Sequence, residues 1–391
     1  MNVFEIPDPR EDEREVLQLI DGLRDELRER VAEPRRWGGT LRRMSFARAV
    51  QGSNSIEGYD ASLDDVVAAV EGEPTLDADT ETILALAGYR DAMTYVLQIA
   101  EDDTLSVDEG LLKSLHFMMM KHDLSKNPGR WRPGTVYVRR ESTGEIVYEG
   151  PPVDDVPNLI HSMLQKLERN DAPVLVKAAM AHLNLVMIHP YSDGNGRMAR
   201  CVQTLVLARD RLLAPVFSSI EEFLGRNTDA YYEVLGNVGQ GGWHPERDAR
   251  PWVRFCLRAH YLQARTVLRR RQEIEGLWNA CTEAAERHGL AERTAAGLMD
   301  AAYGLRLRRG SYRALVASAG DEEISDLTAT RDLKAMVDRG LLEAVGERRA
   351  RYYVATDELA DIRKQIRAGR PPRAEGDPFE VVRDRRQLTL T

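Results

Sequence analysis

Cysteine is scarce in this 391-residue chain. Cys201, Cys256 and Cys281 stand far apart, without the paired spacing of a zinc site or a disulfide framework, and read as core residues, the commonest fate of a free thiol. Long apolar runs are missing too. None approaches the roughly 18–20 residues that span a bilayer, and the N-terminus, MNVFEIPDPREDERE, has no basic start followed by an apolar stretch; a cytoplasmic protein without membrane contact is expected. Positive charge is not in excess, the formal net charge being −9. That argues against a chain coated in nucleic acid, though not against a local basic patch. Neither a G-x-x-x-x-G-K-[ST] loop nor a kinase-type Gly-rich strand loop occurs, so a triphosphate would not be held in either of those ways. What is there, 43% hydrophobic and 30% charged residues, is ordinary globular composition, and the length predicts two or three domains.

Helical periodicity dominates. Val16, Leu17, Ile20, Leu23 and Leu27 form one face of an N-terminal amphipathic helix. Leu41 to Val50 predicts a second helix that runs into Ser53-Asn54-Ser55-Ile56-Glu57-Gly58. Gly58 suits a C-terminal stop, and Glu57 falls in the last turn, where the helix dipole disfavours a carboxylate and a cationic partner is wanted. Ser62 caps a short helix with Asp65 three residues on. Further helices are expected over Asp79 to Ala100 and, with Ser106 as cap, Ser106 to Met120. From Gly129 to Pro157 the pattern changes to β-formers around a turn at Glu141 to Gly144, which predicts one β-hairpin in a helical protein. Such a hairpin either receives an extended partner segment by strand addition or packs as a decorative loop. Helices resume over Val156 to Glu168, Pro173 to Ile188, the stretch up to Leu213 before Pro215 and a connector Val216 to Ile220, Thr228 to Val238, and Pro251 towards Glu286. Gly241-Gly242 and His244 are placed in a loop.

The segment from about 293 to 356 orders three helical patterns (Thr294 to Tyr303, Tyr312 to Ser318, Leu327 to Arg339) before a two-stranded ribbon, the order of a winged helix-turn-helix. Thr328, Thr330, Arg331 and Lys334 on its third helix and Arg348, Arg349 and Arg351 in the ribbon are placed for base-edge and phosphate contacts. Such modules also serve as protein-interaction units, and both readings stay open. Beyond about Gly369 a charged, Pro-containing tail is expected to be mobile.

The chemistry concentrates in His189 to Arg200, HPYSDGNGRMAR, between two apolar helical segments. His189 offers an imidazole able to take a proton from a hydroxyl. Asp193 is a hard oxygen ligand suited to Mg²⁺. Gly194 and Gly196 permit positive φ and close backbone approach to an anion, and Asn195 tolerates the same geometry and can donate from its side chain. Arg197 and Arg200 share one face at the start of the following helix, a natural place for bidentate phosphate contacts. Together these parts describe transfer from a nucleoside triphosphate to a hydroxyl.

This stretch resembles the signature of Fic-domain proteins: His, Pro, aromatic, any residue, Asp or Glu, Gly, Asn, Gly, Arg, two of any residue, Arg. Tyr191 takes the aromatic place, and the resemblance spans roughly residues 35 to 260. It implies an all-α Fic fold with a β-hairpin flap and transfer of AMP from ATP to a Ser, Thr or Tyr hydroxyl of a protein. His189 would be the general base, Asp193 the Mg²⁺ ligand, Gly194 to Gly196 the cradle for the α- and β-phosphates, and Arg197 and Arg200 the ligands of the β- and γ-phosphates. Family members that phosphorylate depart at the second glycine of the turn; this chain does not. Ser53-Asn54-Ser55-Ile56-Glu57-Gly58 resembles the family's inhibitory helix, Ser or Thr, three residues, Glu, then Gly or Asn. That implies an ion pair of Glu57 with Arg200 that spoils ATP binding. In some relatives the equivalent glutamate also positions a water for removing AMP. The Tyr231-Tyr232 segment is similar to one near the adenine, which points to Tyr232 for stacking.

The expected organisation is therefore all-α. A helical region 1–110 carries the inhibitory helix near 45–58; a Fic core 111–260 has its flap at 129–157. A connecting helix 261–290, a winged helix-turn-helix 291–357 and a charged tail 358–391 follow. Expected partners are ATP, a protein substrate on the flap (which includes the protein itself), and DNA or protein at the winged helix; a homodimer is left open. Two alternatives stand beside AMP transfer: a de-AMPylase using Glu57 and a divalent metal, and a nucleotide-sensing DNA-binding regulator.

Overall fold

In a computed structural model the described residues are 2–32, 35–102, 104–139, 143–169, 171–210, 219–347, 351–370 and 376–389. They fold into helices with two small sheets. The predicted residues Glu141, Ser142, Arg348 and Arg349, the stretch 211–213 and the connector through Pro215 to Ser218 lie outside them.

Helix α1 (Glu11–Ala32) opens with Glu11, Asp12 and Glu13, which complement the positive end of its dipole, and buries Val16, Leu17, Ile20 and Leu27 as their spacing predicts. Helix α2 (Gly38–Ser55) ends two residues before Glu57, so that carboxylate sits in the turn beyond the helix, and Gly58 closes the turn at φ +82°. Ser62 caps α3 (Leu63–Glu71) by accepting from the Asp65 amide. Asp79 caps α4 (Thr80–Ile99). Helix α5 (Glu109–Met120) starts later than expected, because the carboxylate of Asp108, not Ser106, accepts from the Leu111 amide.

The hairpin is present as β1 (Tyr137–Arg139) and β2 (Ile146–Glu149), antiparallel and with a register irregularity at Val138/Arg139. After it come α6 (Val156–Arg169), α7 (Val174–Ile188), α8 (Asn195–Arg209), α9 (Glu221–Arg226) and α10 (Thr228–Gly239). Gly241–Gly242, expected as loop, is a short strand β3 that pairs parallel with β2. The side-chain-free backbone there lets the chain lie against the hairpin, a long-range pairing that leaves no local periodicity.

Helix α11 (Arg250–Arg287) runs unbroken through the boundary expected at 260/261, Pro251 in its first turn being tolerated because that amide has no intrahelical partner. The C-terminal segment holds α12 (Thr294–Ala302), α13 (Arg309–Ser318) and α14 (Asp326–Asp338), then the ribbon β4 (Leu342–Val345) and β5 (Tyr352–Ala355), with Leu307 bridging to Tyr353. The expected tail is largely helical: α15 (Asp357–Ala368) follows the ribbon, and α16 (Pro378–Thr389) lies against α1, where Arg386 pairs with Glu15 at 2.6 Å and Val382 is buried. In the described part of the tail several charges sit in ion pairs, among them Arg363 with Glu273 and Arg386 with Glu15.

One core cluster runs from Val3 and Trp37 through Met120, Tyr191 and Val202 to Tyr312 and Leu359. The C-terminal helices thus share a core with the central bundle. Ion pairs reinforce the junction: Arg43 on α2 with Asp300 on α12, and Arg306 with Asp64 and with Asp65 at 2.7 Å. Among the described residues no helix is long and apolar enough to cross a membrane.

Candidate functional site

Helices α7 and α8 pack as a hairpin whose connection is His189 to Gly194. Its first residue is constrained from three sides. His189 takes φ +50°, a left-handed conformation unusual for a non-glycine residue. The amide of His189 donates to the Leu185 carbonyl at 3.0 Å, its ring Nδ1–H donates to the Val186 carbonyl at 3.0 Å, and its own carbonyl accepts from Arg132 Nε at 2.9 Å. Because Nδ1 holds the proton, Nε2 keeps its lone pair. Burial pushes the imidazole pKa below its usual value, aided by the nearby Arg132 charge and opposed by the Val186 carbonyl.

The middle of the loop is locked by Asn195. Its amide oxygen accepts from the Tyr191 amide and its nitrogen donates to the Tyr191 carbonyl, both at 2.9 Å. The side chain expected to face an anion instead staples the turn, so an anion there would meet backbone amides, of which that of Gly194 already donates to Asp193 Oδ1. Gly194 has the anticipated positive φ, +74°, but Gly196 does not; it already belongs to α8. Its lack of a side chain serves close approach: a Cβ there would lie 2.4 Å from Glu57 Oε1 and 3.1 Å from Arg200 Nη1.

Glu57, Ser53, Gly196 and Arg200 therefore meet at one point. Arg200, with no exposed side-chain surface, donates from Nε to Ser53 Oγ at 2.8 Å and from Nη2 to the Ser53 carbonyl at 2.9 Å and Glu57 Oε1 at 2.6 Å. Burial works against this charge, but Glu57 and the phenols of Tyr231 and Tyr89 outweigh it, and the pKa of Arg200 rises. Arg200 Nη1 and Arg197 Nε and Nη1 are buried without a hydrogen-bond partner. Arg197 otherwise touches the sulfur of Met120 at 3.0 Å and stands 5.1 Å from the Tyr59 ring centre. Buried, unsatisfied guanidinium N–H groups beside a glycine turn are what an anion site offers. Asp193 Oδ1 accepts from the Gly194 amide at 2.6 Å, and Oδ2 lies 3.4 Å from Lys126 Nζ. Tyr232 is half exposed and donates its hydroxyl to the Ile56 carbonyl at 3.3 Å, beside the same turn.

Some contributors gave no sequence signal. His116 accepts from the Gly129 amide at Nδ1 (2.8 Å) and donates from Nε2 to the Asp193 carbonyl at 3.0 Å, with its ring stacked on Tyr191 at 3.7 Å. Arg132 donates to the carbonyls of Gly134 (2.6 Å), Pro151 (2.5 Å) and His189, tying both ends of the hairpin to the His189 backbone. Tyr148 in β2 donates to the Met187 carbonyl at 2.7 Å. The helical spacing of His116 and Met120 marks one face of α5, but nothing local says that this face meets Asp193 and Arg197.

A helical hairpin whose connecting turn lies beside two buried arginines, with a β-hairpin tied to it through Arg132, defines the arrangement. Residues 106–207 match the model of the Fic/DOC family, so that part of the chain carries a Fic domain. The chain is 28% identical over 261 residues to protein adenylyltransferase Fic of Nematostella vectensis, covering 65% of this chain and 56% of that one. Against protein adenylyltransferase fic-1 of Caenorhabditis elegans it is 26% identical over 258 residues, 63% and 45% of the two chains. The chain thus spans about half the length of these curated relatives. A solved Fic family protein from Desulfovibrio desulfuricans shares the fold across 90% of this chain and 98% of its own, with TM-score 0.57 and 24% identity. C. elegans Fic-1 superimposes with TM-score 0.51 and 22% identity over 65% of this chain and 71% of its own.

Proposed function

We propose that the protein is an autoinhibited protein adenylyltransferase. The observation that carries this reading is the Glu57 carboxylate seated over Gly196 and hydrogen-bonded to Arg200. In the released state His189 Nε2 takes the proton of a Ser, Thr or Tyr hydroxyl as its oxygen bonds to the α-phosphorus of ATP. The bond from that phosphorus to the bridging oxygen breaks, and pyrophosphate leaves. The amides from Gly194 to Gly196 receive the phosphates, and Arg197 and Arg200 hold the β- and γ-phosphates through the N–H groups now without partners. Tyr232 lies against adenine.

Asp193 would hold Mg²⁺. A single partly exposed carboxylate fits an ion that keeps most of its waters and shares phosphate oxygens, and among the described residues no cluster of three metal-ligating side chains competes for it. The bound ion would neutralise phosphate charge. The names of the relatives support the transfer of adenylate, and Glu57 with Ser53 and Gly58 accounts for its restraint. While Glu57 neutralises Arg200, the γ-phosphate loses its cation and meets a carboxylate.

The protein substrate docks as an extended segment along β1, the outer strand of the flap, where Tyr137 is exposed. The C-terminal helices and ribbon suit a winged helix-turn-helix, with Thr330, Arg331 and Lys334 exposed on α14, although Lys334 is paired with Asp338. A second reading draws on the partly exposed Glu57 carboxylate: with a divalent metal it would position water to remove AMP. Release of AMP from a modified protein, lost in Glu57→Gln, tests that reading.

Labelled ATP tests the reaction type. With the Glu57→Gly variant, label in the α-phosphate is expected to remain on protein and label in the γ-phosphate to leave. Retention of γ-label would make the protein a kinase and overturn the proposal.

A further inference from the structure

Away from the His189 loop, arginines converge on a cavity. It has a volume of about 110 Å³ and lies where α2, α9, α11 and α15 meet. Arg269 and Arg270 come from α11, Arg363 and Arg367 from α15, and Arg370 from just beyond it. Arg48 reaches in from α2 and Arg226 from the end of α9. These seven guanidinium groups face two carboxylates. Glu273 pairs with Arg363 at 3.0 Å and Arg370 at 2.9 Å, and Glu222 pairs with Arg270 at 2.6 Å and Arg226 at 2.5 Å. Among the described residues Arg48, Arg269 and Arg367 form no salt bridge.

Such crowding stands out in a chain of net charge −9. Two buried atoms point the same way. Arg270 is only 5% exposed, and its Nη1 has no hydrogen-bond partner; neither has Arg48 Nε. A buried guanidinium N–H without an acceptor is costly, and seven positive charges around one concavity against two carboxylates leave an excess that an anion would answer. The crowding is also felt by Arg370, whose pKa burial lowers, with Glu273 opposing and Arg269 and Arg367 adding to the fall.

We propose that this cavity is a binding site for a small, multiply charged phosphate anion of the pyrophosphate class, either free or as the tail of a nucleotide. Planar guanidinium forks match phosphate oxygens in pairs. A concavity of about 110 Å³ admits a compact group rather than the surface of a duplex. Tyr303, the aromatic side chain in the lining, is already covered by Arg363 at 3.7 Å, so the wall offers no platform for a base. This site does not depend on the reading of the His189 loop. Since Arg48 belongs to α2, an anion bridging it to α11 and α15 would hold that helix where it now lies.

Calorimetric titration of the full chain with inorganic pyrophosphate tests the site. Saturable binding is expected, stronger than for inorganic phosphate and weakening with salt. It should fall at least tenfold in Arg269→Ser/Arg367→Ser, whose side chains lie at the cavity rim, and persist in Arg197→Gln, which alters the His189 loop. The charge-preserving Arg269→Lys/Arg367→Lys should lose less, and circular dichroism confirms that each variant is folded. ADP in the Arg197→Gln background separates the sources: affinity equal to that of pyrophosphate means a free anion, and tighter binding means a nucleotide. Unchanged pyrophosphate affinity in the serine variant, no saturable binding at low salt, or duplex DNA held by these arginines and not displaced by pyrophosphate would overturn the proposal.

Discussion

In the proposed reaction two demands meet at His189: the base must be neutral and its free nitrogen must face the substrate. Burial meets the first and the Nδ1–H bond to Val186 the second. A depressed pKa keeps the imidazole neutral further into acid. Transfer by the Glu57→Gly variant is therefore expected to be flat above about pH 6.5 and to fall only as pH drops through the lowered value. A pH–rate profile that halves above pH 7 contradicts this. Buried histidines also bear on stability. His116 is held at about 4 and His182 at about 3, both by burial, whereas each takes up a proton near 6.5 in the unfolded chain. The unfolded state thus binds more protons between those limits, and stability, complete above about pH 6.5, is lost as pH falls towards 4 and 3. Chemical denaturation from pH 7 to 4.5 should show this fall, and His116→Gln, less stable at pH 7 through lost hydrogen bonds, should show a shallower one. His189, Asp193, Arg197 and Arg200 could be grouped from the sequence because they sit within twelve positions, and the roles proposed for them rest on that grouping. The exact use of Asn195 and Gly196 was not legible, since a staple to Tyr191 and a space filled by Glu57 depend on where the chain goes next.

At the scale of elements, the hairpin is held by a few anchors. A hairpin this short is marginal alone, and Arg132 joins its two ends to the carbonyl of His189. Arg132→Met is expected to speed amide hydrogen exchange across 134–150 and to lower kcat, because His189 loses a constraint on a left-handed backbone that costs about 1–3 kcal/mol to maintain. Unchanged exchange there would show that Tyr148 and β3 suffice. Hairpin, helices and the stop at Gly58 were readable from alternation, 3.6-residue period and glycine. Strand β3 and the helical nature of 378–389 were not: one is a pairing between Tyr148 and Gly241 far apart in sequence, and the other takes its apolar contacts from α1. Composition registers neither kind of long-range partner.

Across the whole molecule, the helix carrying Ser53 and leading to Glu57 is gripped by the C-terminal segment. Arg43 pairs with the buried Asp300, and Arg306 with Asp64 and Asp65 just past the turn. Glu57 is thereby held in place from both sides. Removing one partner of such a buried pair costs about 3–5 kcal/mol, much of it local. Arg306→Ala, at the less buried of the two contacts, is therefore expected to loosen the turn and raise basal labelling above wild type while staying below Glu57→Gly. Equal labelling in folded Arg306→Ala and wild type would show that the two parts are not coupled. Glu57→Gly itself should lower stability by about 1–3 kcal/mol, the cost of taking one partner from a buried hydrogen-bonded group, and ATP with Mg²⁺ should restore more of it than in wild type. The central claim is that Glu57 decides whether Arg200 can serve ATP. Its most direct test is incorporation of α-labelled ATP into protein by wild type, Glu57→Gly, and Glu57→Gly/His189→Ala. Weak labelling, strong labelling and none are predicted in that order; labelling equal in the first two, or surviving the loss of His189, would contradict the account.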